Sequence, residues 1–257
     1  MPESKPLVYM ILGAAGSGRR EILHDLITDG LAEGDRPVVL LSAAEAPSPA
    51  DALLPGLGRW DWVEGEGIGA EIPAGATHVF LVTDGRRNPV DQIQSFHTWL
   101  SSREGELARV LCVVHCGLAQ KHHPLLVWYD ALIHFSDVVL LNRREGIENK
   151  WIGDFQARYK GQFFPCLFDL VKAGRVKNPA LVLTPGALRM SQAFDELEEQ
   201  LEAEVVEYEI GGDPETDEEA EQAAEEEEED ELKEDLYFVR LAGGRRAKEI
   251  PDIGKYL

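Results

Sequence analysis

Leu12 to Leu23 reads LGAAGSGRREIL. Gly13 and Gly18 stand in the GxxxxG spacing of the phosphate-binding Walker A loop, with Gly16 between them. Such a loop works through bare backbone: its N–H groups converge on phosphate, and the helix that follows adds positive potential at its N-terminus. The flanks supply that context, because the apolar run LVYMIL (Leu7 to Leu12) precedes the glycines and a candidate helix, Arg19 to Asp29, follows them. Gly13, Ala14, Ala15, Gly16, Ser17 and Gly18 are therefore candidate phosphate ligands, together with Arg19 and Arg20. The usual continuation is Lys then Ser or Thr; here it is Arg19 then Arg20. Arg19 keeps the charge on a larger, planar fork. Arg20 replaces the hydroxyl that ligates magnesium, and a guanidinium there repels each positive charge of a metal ~4 Å away by about 4 kcal/mol at an effective dielectric near 20. Two readings stay open: phosphate binding without efficient hydrolysis, because backbone donors survive both substitutions, or a Gly-rich strand-to-helix turn that holds no nucleotide.

The pattern of the loop's strand repeats along the chain. Further apolar runs are PVVLL (Pro37 to Leu41), HVFLV (His78 to Val82), VLCVV (Val110 to Val114) and DVVLL (Asp137 to Leu141). Unbroken Val- and Leu-rich runs suit strands covered on both faces, and the spacers between them suit crossover helices. Helices are expected at Pro89 to Ser101, at Leu125 to Phe135 and near Lys150 to Tyr159, and RWDWVEGEG offers a short edge strand. The expected fold is α/β: a P-loop three-layer sandwich with a mostly parallel sheet over 1–186 and an acidic C-terminal extension.

Beyond Pro185 the character changes. Leu188, Phe194, Leu197, Leu201 and Val205 recur at helical spacing, which predicts an amphipathic helix from Ala187 to Val206, within a segment 187–210 packed on the domain. Between Asp195 and Asp235 there are 23 acidic residues and one base, so the formal charge of −22 belongs to this stretch; the rest of the chain carries 24 of each sign. The stretch 211–235 is too poor in apolar groups to offset ordering entropy and reads as a solvated tether. The end, 236–257, is again apolar and basic, with Tyr237 to Leu241 patterned to add a strand to a sheet edge, its own or that of a protein partner. A neutral body with an acidic tether argues against nucleic-acid binding. No apolar run reaches the roughly 20 residues of a membrane helix, and the start has no cleavable-signal layout, so a cytoplasmic protein is expected. Three cysteines, Cys112, Cys116 and Cys166, give no disulfide framework.

At FLVTDGRRNPVDQIQSF (Phe80 to Phe96) the chain resembles the CobW-like GTPases, a P-loop family that includes cobalt and zinc metallochaperones. Thr83, Gly85 and Pro89 match the family's Glu-Thr-Thr/Ser-Gly and Ala-Asp-Pro segment; Val82, Asp84 and Asn88 depart from it. FSDVVLLNRREGI (Phe135 to Ile147) resembles the guanine-recognition segment, with Asn142 retained, Arg143 for Lys and Glu145 for Asp. FPCLFDLVKAGRVKNPALVL resembles the last strand and turn of the family's domain. The resemblance implies GTP or GDP as ligand, Asn142, Arg143 and Glu145 at the base, and Asp84 as the carboxylate for any remaining hydrolysis. Magnesium is left open by Arg20. The family's Cys-x-Cys-Cys metal motif has no counterpart after the second apolar run. Cys112, His115, Cys116, His122 and His123 cluster in sequence, but their spacing fits no closed zinc site, and no metal site is expected. The leading expectation is a guanine-nucleotide binder with impaired or absent hydrolysis. The alternatives are a nucleotide-independent interaction module working through the tether and C-terminal segment, and a metallochaperone.

Overall fold

The computed structural model of the chain describes residues 5–195 and 235–257. The described residues fall into two compact units, 5–190 with 249–257, and 191–195 with 235–248. The first carries the sheet. Its strands are β1 (Leu7–Gly13), β2 (Pro37–Ser42), β3 (Gly58–Val63), β4 (Gly67–Gly69), β5 (His78–Val82), β6 (Glu106–His115), β7 (Val138–Asn142) and β8 (Leu167–Leu170). Its helices are α1 (Arg19–Gly30), α2 (Pro89–Ser101), α3 (Cys116–Lys121), α4 (His123–His134), α5 (Asn149–Lys160) and α6 (Pro179–Leu183).

The sheet runs β4-β3-β2-β5-β1-β6-β7-β8, parallel throughout except for the antiparallel pair β3–β4. This is the P-loop α/β architecture expected from the alternation, with β1 and its glycine loop in the middle of the sheet. RWDWVEGEG supplies β3 and leads into β4, so the edge is a hairpin rather than one strand. The period-2 alternation of strands sorts side chains to two covered faces. Tyr9, Ile11, Val39, Leu41, Phe80, Val82, Leu111 and Val113 pack with α1 and α6, and the Tyr9 hydroxyl donates to the Leu183 carbonyl at 2.7 Å. Val8, Met10, Leu12, Leu40 and Leu81 are buried on the opposite side, where α2 and α4 lie in contact with each other.

Two expectations for the C-terminal region are corrected. Residues 187–195 are not helical, and the remainder of the expected amphipathic helix lies outside the described residues. A helix begun at Ala187 would bond Met190 N to the Gly186 carbonyl four residues back, whereas Met190 N donates to the His134 carbonyl at 3.2 Å, and Leu188 N donates to the buried Asp137 carboxylate at 2.6 Å. These bonds tie Leu188 and Met190 to the domain instead. Tyr237 to Leu241 is not a strand added to the sheet: Phe238 N and Val239 N donate to the Asp235 carbonyl, and Arg240 pairs with Arg246 in an isolated antiparallel bridge. The glycines at 243 and 244 turn the segment onto itself, so its amides are used locally. The final residues 249–257 pack in the first unit, with Ile253 buried and Tyr256 stacked on His122 at 4.6 Å between ring centroids. Of the acidic tether expected over 211–235, all but Asp235 lies outside the described residues.

Candidate phosphate-binding site

Parallel strands deliver their following loops to one edge of the sheet, where ligands of open α/β folds bind. Here the loops after β1, β2, β5 and β7 bring together residues 13–18, Ala43 to Ser48, residues 83–87, and Asn142 with Arg143. Gly18 is the N-cap of α1 at φ 91, and a Cβ there would fall 2.3 Å from Asn142 Nδ2. Only glycine fits, and the space it leaves lets Asn142 Nδ2 donate to the Ser17 carbonyl at 2.8 Å. Asn142 is buried and thereby joins the expected base-recognition segment to the loop.

A cavity of about 260 Å³ opens at this edge, lined by Ala15, Gly16 and the first turn of α1, and by Glu45, Ala46, Ser48, Arg86 and Arg143. The amides of that first turn have no acceptor within the helix, and Gly18 offers no side-chain cap for them. Four arginines against two glutamates, Glu21 and Glu45, leave the walls with a net positive charge. Arg86 is exposed and faces the cavity; Arg143, also exposed, bonds Glu21 at 3.2 Å across it.

The two arginines that replace lysine and hydroxyl are engaged with the protein itself. Arg19 is 4% exposed; Nη1 donates to the Thr83 carbonyl and Nη2 to Glu45. Arg20 Nη2 lies 3.2 Å from Glu45 Oε2 and its Nη1 3.0 Å from Asp51 Oδ1. The loop is also bonded to the turn after β5, Ala15 N to the Gly85 carbonyl at 3.1 Å. These residues do not fit a magnesium ion: the hydroxyl position carries a guanidinium fixed by two carboxylates, and those carboxylates are already neutralised by arginine.

Of the other expected site residues, Asp84 is buried with its carboxylate accepting from Arg86 N at 2.9 Å, while Gln92 brackets its backbone, accepting from its N–H and donating to its carbonyl. That carboxylate shapes its own turn, and Asp84 is not part of the cavity wall. Glu145 is exposed at the tip of the turn closed by Ile147 N to the Arg144 carbonyl, outside the cavity wall. Arg87 leaves the site and covers the Trp62 ring at 4.5 Å. Cys112 and Cys116 are core residues whose thiols burial pushes up, Cys116 to about 12, which makes them poor ligands and nucleophiles. His115 caps α3, its Nδ1 accepting from Leu118 N at 3.2 Å, and burial holds its imidazole below the usual range.

Two residues bonded to the strand ends and loop of this edge escaped the sequence reading. Tyr129 is fully buried, its hydroxyl accepting from His115 N at 2.9 Å, and burial pushes its phenol far up. Glu45 collects both loop arginines. The signal that pointed to it was modest: it is the first acid after β2, three residues past the end of a parallel strand and so at the ligand edge.

No family model matches the chain, and no curated protein matches it. Among solved structures it is similar to HypB from Helicobacter pylori in complex with nickel, at 12% identity and a TM-score of 0.41, covering 82% of this chain and 93% of that one. It is similar also to a zinc-bound triple mutant of the YjiA GTPase, at 11% identity and a TM-score of 0.41. The zinc-bound YjiA GTPase from E. coli follows at 11% and 0.39; each of these two matches covers 71% of this chain and 66% of the other. The fold rests on this chain's own strand order and glycine loop.

Proposed function

We propose that this chain binds a guanine nucleotide by its phosphates, without magnesium and without turnover. The observation that supports this reading is the cavity at the N-terminus of α1, where free first-turn amides and an arginine-rich wall face the same space. Backbone donors and a helix N-terminus recognise phosphate whatever side chains surround them. Hydrolysis requires a metal bridging the phosphates and a positioned water. Arg20 takes the metal's place, and Asp84, the candidate carboxylate, is spent on the Arg86 amide. Arg143 and Glu145, on the loop after β7, are the proposed base contacts, with Asn142 fixing that loop to the glycine bend.

Titration with fluorescent GDP and GTP analogues, with and without magnesium, tests the reading. Saturable binding unaffected by magnesium, with no phosphate released, is the expected result. Affinity weaker than roughly 1 mM in both conditions sinks it. A second reading, a nucleotide-independent interaction module, is favoured by the engagement of Arg19 and Arg20 with the protein's own Glu45. It predicts loss of a bound protein on removing residues after Gly211 while the core stays folded.

A further inference from the structure

Three donors converge on one carboxylate at the mouth of this cavity. Glu45 Oε1 accepts from Arg19 Nη2 and from the Gly85 amide at 3.2 Å, and Oε2 accepts from Arg20 Nη2 at 3.2 Å. The side chain is only 10% exposed. Two guanidinium forks and a backbone amide around a single anion form the donor set that proteins use for phosphate. We infer that Glu45 is a built-in competitor for the phosphate site: its carboxylate holds the donors that a ligand phosphate would take, and the ligand binds by displacing it. This inference rests on the phosphate-binding reading above.

The surroundings separate what is fixed from what can move. The Glu45 backbone is anchored, its N–H donating to the Ser42 carbonyl at 3.1 Å and its carbonyl accepting from Arg59 Nη1 at 3.2 Å. Release therefore needs only rotation of the Glu45 side chain. Arg20 keeps its place when Glu45 leaves, because Asp51 at 3.0 Å and the Ala46 carbonyl at 3.0 Å still hold its fork. Arg19 keeps the Thr83 carbonyl. The donors thus stay organised around the vacated position, and the ligand's affinity is reduced by the fraction of molecules in which Glu45 occupies it.

Glu45→Gln preserves shape and removes the charge. Asp51→Asn makes the same change in net charge while leaving the bonds of Glu45 to Arg19 and Gly85 intact. Calorimetric titration of the full chain at fixed ionic strength, with inorganic pyrophosphate and with GDP, separates the outcomes. Glu45→Gln is expected to bind both probes about tenfold more tightly than the parent, with Asp51→Asn changed by less than about twofold. Equal affinities in parent and Glu45→Gln overturn the competitor and leave the nucleotide reading standing. An Asp51→Asn gain as large as that of Glu45→Gln also overturns it, since net charge alone then explains the effect. A gain for pyrophosphate with GDP bound no better than pyrophosphate supports the competitor and removes the guanine nucleotide. No binding of either probe to any form removes both. The parent protein carries an independent readout if Glu45→Gln does not fold: saturating pyrophosphate should shift the Gly85 amide resonance, and an unmoved Gly85 with pyrophosphate bound overturns the competitor.

Discussion

Gly85→Ala probes the seam between the glycine loop and the turn after β5. A Cβ at Gly85 would lie 2.2 Å from Ala15 N and 2.7 Å from both Ala14 C and Arg19 Nη2. The first two are backbone atoms and cannot rotate away, so loop and turn must part by roughly 1 Å to reach ordinary contact. Overpacking of this kind costs about 1–3 kcal/mol. Separation also strains the bond from Ala15 N to the Gly85 carbonyl, whose loss adds about 1 kcal/mol. The expected total is about 2–4 kcal/mol, a fall in melting temperature on the order of 10 °C for a chain of this size. Urea unfolding followed by tryptophan fluorescence measures it, since Trp60 and Trp128 are buried in the fold. Gly153→Ala is the internal control: it lies within α5 with nothing inside 4 Å of a built Cβ, and is expected to gain about 0.5–1 kcal/mol from helix propensity. A Gly85→Ala loss below about 0.5 kcal/mol, the range of an ordinary surface change, would show that loop and turn are not sealed together.

Asn142→Ala removes the donor to the buried Ser17 carbonyl and is expected to cost about 1–3 kcal/mol, with faster hydrogen exchange in residues 14–18; unchanged exchange there would detach Asn142 from the loop. His115 and His78 are both held below the usual imidazole value of 6.5, in each case chiefly by burial. The unfolded chain therefore takes up protons that the folded chain refuses, so stability is full above about pH 6.5 and is lost as pH falls below it. His115→Asn keeps an oxygen acceptor for Leu118 N without a titrating ring, and its melting temperature should fall less between about pH 7.5 and pH 5 than the parent's. Identical pH slopes would remove His115 from that balance.

The loop and the strands could be read in the chain because both depend on local composition. Five expected strands sit within a few residues of β1, β2, β5, β6 and β7, and Pro89 to Ser101 is α2 to the residue, since Asn88 and Pro89 supply a side-chain cap and a preset first turn. Over 187–195 the expected helix is absent where local pattern meets a distant acceptor: Leu188 and Phe194 have the right spacing, but the His134 carbonyl takes the Met190 amide that a helix needs. Tyr237 to Leu241 is not a strand of this chain's sheet, its alternation being answered by a turn within its own segment.

By itself the amino-acid order determined a parallel α/β sheet, a glycine bend after its first strand, and the replacement of lysine and hydroxyl by two guanidinium groups, because each follows from side-chain type and spacing within a dozen residues. Only the tertiary structure decided what those guanidinium groups do. Glu45 lies 26 residues from Arg19 in a stretch without periodicity, and the two meet because β5 alone separates β2 from β1 in the sheet. Where a long charged side chain settles is set by the acceptors that the fold brings within its reach, and no local pattern in the chain records them.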